Sequence, residues 1–186
     1  MDNDLFKYQR KSYIKHGVIY FWTATIHRYI PLFTESAYKD IIIESLEHLS
    51  QKKKIDVFAF VIMPNHIHLI WRINEKNGKE GSHSSFLKFT AHEFQKQLIK
   101  DESISMDKFK VKAKNKDHEF WQRDSLAIPL YTNKVAIQKL DYIHSNPRAD
   151  YWNLAIHPSD YVYSSAKFYE QGIKEFGFLK DLMMEC

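Results

Sequence analysis

The chain has 186 residues, enough for one domain with a full apolar core, and its 44% hydrophobic and 15% aromatic content argues against disorder. A formal charge of +4 is compatible with nucleic acid but too mild to require it. A lone cysteine, Cys186, excludes an intrachain disulfide and two-cysteine metal motifs; with no long uncharged apolar run and an acid-containing start, MDNDLFKYQRK, the expectation is a cytoplasmic protein without membrane contact.

Val18 to Ile26 is rich in β-branched and aromatic residues and predicts a buried strand. Thr34 and Ser36 then offer a helix start, and Tyr38, Ile41, Ile42, Ser45, Leu46 and Leu49 recur at helical spacing to about Lys53. Ile55 to Met63 predicts a second strand, Pro64-Asn65 a break, and His66 to Ile73 a third strand antiparallel to the second. Asn74 to Gly81 is polar and reads as a loop. Ser84 or Ser85 is the expected cap of a helix that ends near Lys100 and carries Phe86, Phe89, Phe94 and Leu98 on one face.

Residues 101–118 carry the weakest structural signal and read as a basic insertion or loop. If extended, they place Lys108, Lys110, Lys112, Lys114 and Lys116 on one side, spaced to follow a phosphate backbone. Phe120 to Asp124 predicts a short strand. Asn133 to about Asn146 predicts a helix with Val135, Ile137, Leu140 and Ile143 as apolar positions. Pro147 is expected to end it, because a residue before proline is disfavoured in α geometry. A last helix is expected from about Ser159 through Glu170. The whole, 1–186, reads as one α+β domain: an antiparallel sheet of about four to five strands with helices packed on it.

Chemistry concentrates in two segments. On a strand, residues two apart share a face, so His66 and His68 project together, with Cα atoms about 6–7 Å apart, while Ile67 turns into the core. Two imidazoles at that spacing suit one cation, although ten histidines in 186 residues produce such a pair by chance in about one chain of two. The second segment is Asp141-Tyr142-Ile143-His144-Ser145-Asn146-Pro147. Tyr142 and Asn146 stand one helical turn apart, so a phenol and an amide oxygen share a face near a helix end that favours cations. The bland alternatives are a packed surface tyrosine for Tyr142 and a helix cap for Asn146.

MPNHIHLIW, then FWQRD, LDYIHSNPRA and DYVYSSAKFY, in this order, resemble the single-tyrosine HUH transposases, in particular the REP-associated tyrosine transposase branch. The resemblance runs from the strand near Val18 to Tyr169. It implies a ferredoxin-like HUH fold and metal-dependent cleavage and strand transfer of single-stranded or hairpin DNA through a 5′-phosphotyrosine. By its motifs, His66 and His68 match the metal-binding pair, Tyr142 the nucleophile and Asn146 a third ligand; magnesium or manganese is the expected ion. Arg148-Ala149-Asp150-Tyr151 departs from the family's usual order after the proline. Relatives work alone or as dimers exchanging the tyrosine helix, so a homodimer is one expectation.

A phosphodiester resists nucleophiles through its own charge, and a free phenol, with a pKa of about 10, is protonated at neutral pH, so the chemistry needs a cation or a base. Lys88, Lys96, the lysines from 108 to 116 and Arg123 are candidate phosphate contacts, and Trp121 and Tyr151 candidate base-stacking residues. The alternatives are an inactive nucleic-acid-binding protein of the same fold and a metal-dependent hydrolase in which water replaces Tyr142.

Overall fold

A computed structural model describes residues 14–101, 104–113, 116–123 and 125–185. Its main sheet has four strands, β1 (Ile19–Thr25), β2 (Ile55–Met63), β3 (His66–Ile73) and, numbered in chain order after two small hairpins, β8 (Leu126–Pro129). They lie in the order β2-β3-β1-β8, and every neighbouring pair is antiparallel. Between them run α1 (Ser36–Gln51) and α2 (Ser82–Asp101), which gives the β-α-β-β-α-β sequence of a ferredoxin-like fold. No helix among the described residues is long and apolar enough to cross a membrane.

Alternation divides the sheet into two faces. Tyr20, Trp22, Ala24, Ile67, Leu69 and Trp71 face α1 and α2, where Tyr38, Ile42, Leu46, Phe86, Phe94 and Leu98 close the larger core. Phe21, Val61, Met63 and Ile70 face the other way, under α3 (Asn133–Ser145). β2 changes parity at a bulge between Val57 and Ala59, so Phe58 and Ala59 both join the smaller core while Phe60 and Ile62 resume the larger one. α3 is held by Ala136, Leu140 and Ile143; Leu140 and Ile143 contribute about 1.5–3 kcal/mol each by burial.

Several elements differ from the sequence expectations. α1 stops at Gln51 rather than Lys53, because Lys53 is left-handed (φ 56°) and the amides of Lys53 and Lys54 bond back to Ser50 and Leu49, a Schellman ending. The loop 74–81 contains a hairpin, β4 (Lys76–Asn77) with β5 (Glu80–Gly81). α2 starts at Ser82, whose hydroxyl donates to the Glu75 carbonyl, and Thr90 instead of Phe89 continues its buried face; Phe89 is exposed. Ile137 on α3 is exposed too, and Ala136 is buried in its place.

The basic segment does not run as one strip. Met106–Phe109 is a 3-10 turn and β6 (Lys110–Ala113) pairs back on β7 (Lys116–His118). Phe120 and Trp121 enter the core, Trp121 forming an isolated bridge to Ile26 where a short strand was expected, and the edge strand beside β1 is β8. Asn146 keeps α geometry (φ −54°, ψ −45°) despite Pro147, and the helix tightens into a 3-10 turn, Asn146–Arg148. The expected last helix is split: Tyr163 and Ser165 bond to Ile62 and Phe60 on the β2 edge, so only α4 (Ala166–Gln171) is α-helical.

An ionic cluster ties the C-terminal segment to the sheet. Asp56, 5% exposed, accepts from Arg72 Nη2 at 2.6 Å and meets Lys180 at 2.5 Å, while Arg72 also reaches Glu185 at 2.6 Å. Burial alone would raise the Asp56 pKa, but hydrogen bonds from Lys180, Arg72 and Asn74 outweigh it and hold the carboxyl below its ordinary value. A depressed folded pKa means stability that is present above about pH 4 and lost as pH falls through the folded value. Asp56→Asn is therefore expected to cost about 2 kcal/mol in urea unfolding at pH 7 and clearly less at pH 3. An equal cost at both pH values would show that the charge of Asp56 is not what binds this segment.

Candidate nucleophile and imidazole site

His66 and His68 project from the same face of β3, their ring centroids 4.7 Å apart at 72°. Each is fixed through its Nδ1. Asn65 donates through Nδ2 to the Tyr29 carbonyl (3.2 Å), which leaves Asn65 Oδ1 as the acceptor for His66 Nδ1 at 2.7 Å. His66 therefore carries its proton on Nδ1 and bares a lone pair on Nε2. His68 Nδ1 meets the Thr23 hydroxyl at 2.7 Å, from the residue directly opposite it on β1. His68 Nε2 is buried and has no hydrogen-bond partner among the described residues.

Burial holds both rings neutral: the His66 pKa is pushed down to about 4, and that of His68 to about 3, with the charges of His66 and Lys139 adding to the effect. A neutral imidazole with an unpartnered nitrogen is the form that ligates a cation, and an Nδ1 anchored by a hydrogen bond is the usual support for such a ligand. Among the described residues no group of three or more His, Cys, Asp or Glu side chains could hold a metal ion. The residues present thus fit a divalent ion only as a partial shell: two imidazoles completed by neutral oxygens or by a substrate's own oxygens.

α3 lies over this face and carries Tyr142 to it. The Tyr142 ring stands 5.4 Å from the His68 ring at 67° and 5.8 Å from Phe21 at 75°, and the residue is 49% exposed. Phe21 joins the two, since it also stacks on His68 at 5.2 Å and 25°. Asn146 Nδ2 donates to the Tyr142 carbonyl at 2.9 Å, capping the helix end, and that bond leaves its Oδ1 unused. Beyond the turn, Trp152 lies 5.8 Å from His66, and Tyr151, 85% exposed, packs edge-on against Trp152.

The candidate phosphate contacts are scattered. Lys88 and Lys96 are on α2, beyond the opposite face of the sheet, each paired with a glutamate (Glu80, 2.7 Å; Glu93, 2.8 Å). Lys108, Lys110 and Lys112 are exposed, Lys110 pairing with Asp107 at 2.6 Å; Lys116 lies on β7, and Lys114 falls outside the described residues. Arg123 pairs with Glu119 at 3.3 Å and lines a cleft of about 90 Å³ with Thr23, Thr25 and Leu126, Thr23 being the hydrogen-bond partner of His68. Trp121 is corrected outright: 6% exposed, with its indole N–H on Thr90 Oγ1 at 3.0 Å, it is core and has no free face for a base. Thr23, Asn65, Phe21 and Lys139 were not singled out from the sequence; only the β1–β3 register reveals Thr23.

No protein-family model matches the chain, and no curated protein matches its sequence. Its fold matches a solved structure, that of a REP-associated tyrosine transposase bound to a REP hairpin, with a TM-score of 0.61 and 20% identity, covering 96% of this chain and 93% of that one. The chain has the fold of that transposase, an α+β fold built on a four-stranded antiparallel sheet.

Proposed function

We propose that this protein binds single-stranded or hairpin DNA and cleaves and rejoins it through Tyr142. The observation that carries the reading is the contact between the Tyr142 and His68 rings, brought together from distant parts of the chain with one ring half-exposed and the other buried and neutral. The shared fold with a hairpin-bound tyrosine transposase supports it. In this reading the nucleophile and the imidazoles are supplied by one chain.

In this reading His66, His68 and the Asn146 amide oxygen hold a magnesium or manganese ion. When bound, that ion supplies charge neutralisation on a non-bridging phosphate oxygen. Thr23 and Asn65 keep the two rings aimed by occupying their Nδ1 atoms. Phe21 and the α3 backbone hold the phenol in place for in-line attack on phosphorus. The Tyr142 oxygen bonds to phosphorus, its proton passes to solvent at the exposed ring edge, and the bond to the 3′ oxygen breaks, that oxygen taking a proton from solvent. The products are a 5′-phosphotyrosine and a 3′-hydroxyl. The ester is conserved, so a second 3′-hydroxyl can reverse the step without ATP. Tyr151 offers an exposed ring for stacking an unpaired base beside the scissile position.

With manganese and a panel of hairpin oligonucleotides bearing single-stranded flanks, the wild-type protein is expected to form a denaturant-resistant protein–DNA adduct that Tyr142→Phe abolishes. Cleavage persisting in Tyr142→Phe would make water the nucleophile, and hairpin binding without cleavage in the wild type would leave a DNA-binding protein only. Thr23→Val tests the metal. It keeps the shape of the side chain but removes the hydroxyl on His68, and is expected to weaken manganese binding by about 10- to 100-fold in calorimetry, with unfolding still cooperative and stability lowered only by the roughly 1–3 kcal/mol of an unpartnered Nδ1. Wild-type manganese affinity in this variant would mean that the imidazole pair is not the metal site.

A further inference from the structure

Lys139 has no place in the mechanism above, yet it stands inside the site. It lies one helical turn before Tyr142 on α3, with its ammonium 5.4 Å from the Tyr142 ring centroid and 4.8 Å from that of Phe21. The Phe21 ring therefore packs against both the phenol and this cation. Among the described residues no carboxylate lies within ion-pair distance of Lys139, whereas Lys88, Lys96 and Lys110 each hold one. Aromatic faces attract an ammonium but accept no full hydrogen bond, so its N–H donors still require an oxygen acceptor.

We propose that Lys139 is a phosphate-binding catalytic residue: its ammonium takes a non-bridging oxygen of the phosphodiester presented to Tyr142, from the helix side, while the imidazole pair faces it from the sheet side. This inference rests on the reading of Tyr142 as a nucleophile at DNA. The geometry makes sense of a cation placed where no protein anion balances it. An incoming phosphate carries the missing charge, and the contact strengthens as negative charge builds on the equatorial oxygens during attack. Phe21, by touching Lys139, Tyr142 and His68, keeps the three groups in one frame.

The test uses the full chain and two readouts. Lys139→Met keeps the aliphatic packing on the rings and removes the charge, Lys139→Gln repeats the test with a polar side chain, and Lys139→Arg restores the charge. In the Tyr142→Phe background, binding of a hairpin oligonucleotide with single-stranded flanks is followed against salt. Lys139→Met and Lys139→Gln are expected to lower the slope of log affinity on log salt by about 0.7, one phosphate contact on a single strand, and Lys139→Arg to recover it. With Tyr142 present, the rate of adduct formation is expected to fall by about 10- to 100-fold in the uncharged variants, the loss of one charge-assisted hydrogen bond, and to recover in Lys139→Arg.

An unchanged slope and an unchanged adduct rate in variants that fold like the wild type would overturn the proposal while leaving Tyr142 as nucleophile. A reduced slope in a protein whose wild type forms no adduct would sustain the phosphate contact and overturn the strand-transfer reading instead.

Discussion

Everything in this site hangs on the parity of one strand. β3 has a side-chain period of two, so His66, His68 and Ile70 must share a face, and the apolar demand of Ile67, Leu69 and Trp71 for the larger core decides which face that is. A slip of one residue in the β1–β3 register would send both imidazoles under α1 and α2. The register is held by Trp22 and Trp71, fully buried with rings 4.7 Å apart, and by the hydrogen-bonded ladder on both sides of β3. α3 then only has to lie on the remaining face, through Leu140 and Ile143, for Tyr142 to meet His68.

The electrostatics of that meeting are unusual for a surface site. Both imidazoles are driven neutral by burial, no carboxylate joins them among the described residues, and the ammonium of Lys139 lies on the Phe21 and Tyr142 rings. The proposed cation would therefore be held by two nitrogens and neutral oxygens, a weak shell until a phosphate adds its own charge. Such an arrangement couples metal occupancy to substrate: the anion that is to be attacked is also the ligand that completes the site. In it Thr23 and Asn65, each 2.7 Å from an Nδ1, serve to aim the rings.

Much of this was legible in the chain itself. β2 and β3 match their expected bounds because both are rich in apolar and β-branched residues and Pro64-Asn65 separates them, and the period of two along β3 was enough to put His66 and His68 on one face. Tyr142 sits on α3 and Asn146 at its C-cap, one turn further on. What the chain concealed were features set by distant partners. β8 is short, ends at Pro129 and is only partly buried, so its strand character comes from β1 alone. Tyr163 to Ser165 looked helical by local pattern, but the open edge of β2 claims their backbone groups. Trp121 could be a core or a stacking residue by sequence, because an exposed and a buried indole have the same letter. Lys139 was passed over for the lysine-rich segment 108–116, although sequence clustering says nothing of which ammonium lacks a partner.

The central claim is that a single divalent ion sits between the two imidazoles on the side where Tyr142 stands. Anomalous diffraction from crystals of the full chain grown with manganese tests it most directly. The account predicts one peak within direct ligand distance of Nε2 of both His66 and His68, with the Tyr142 hydroxyl facing it. A peak on other residues, or none at the pair in a protein that binds manganese in solution, would contradict it.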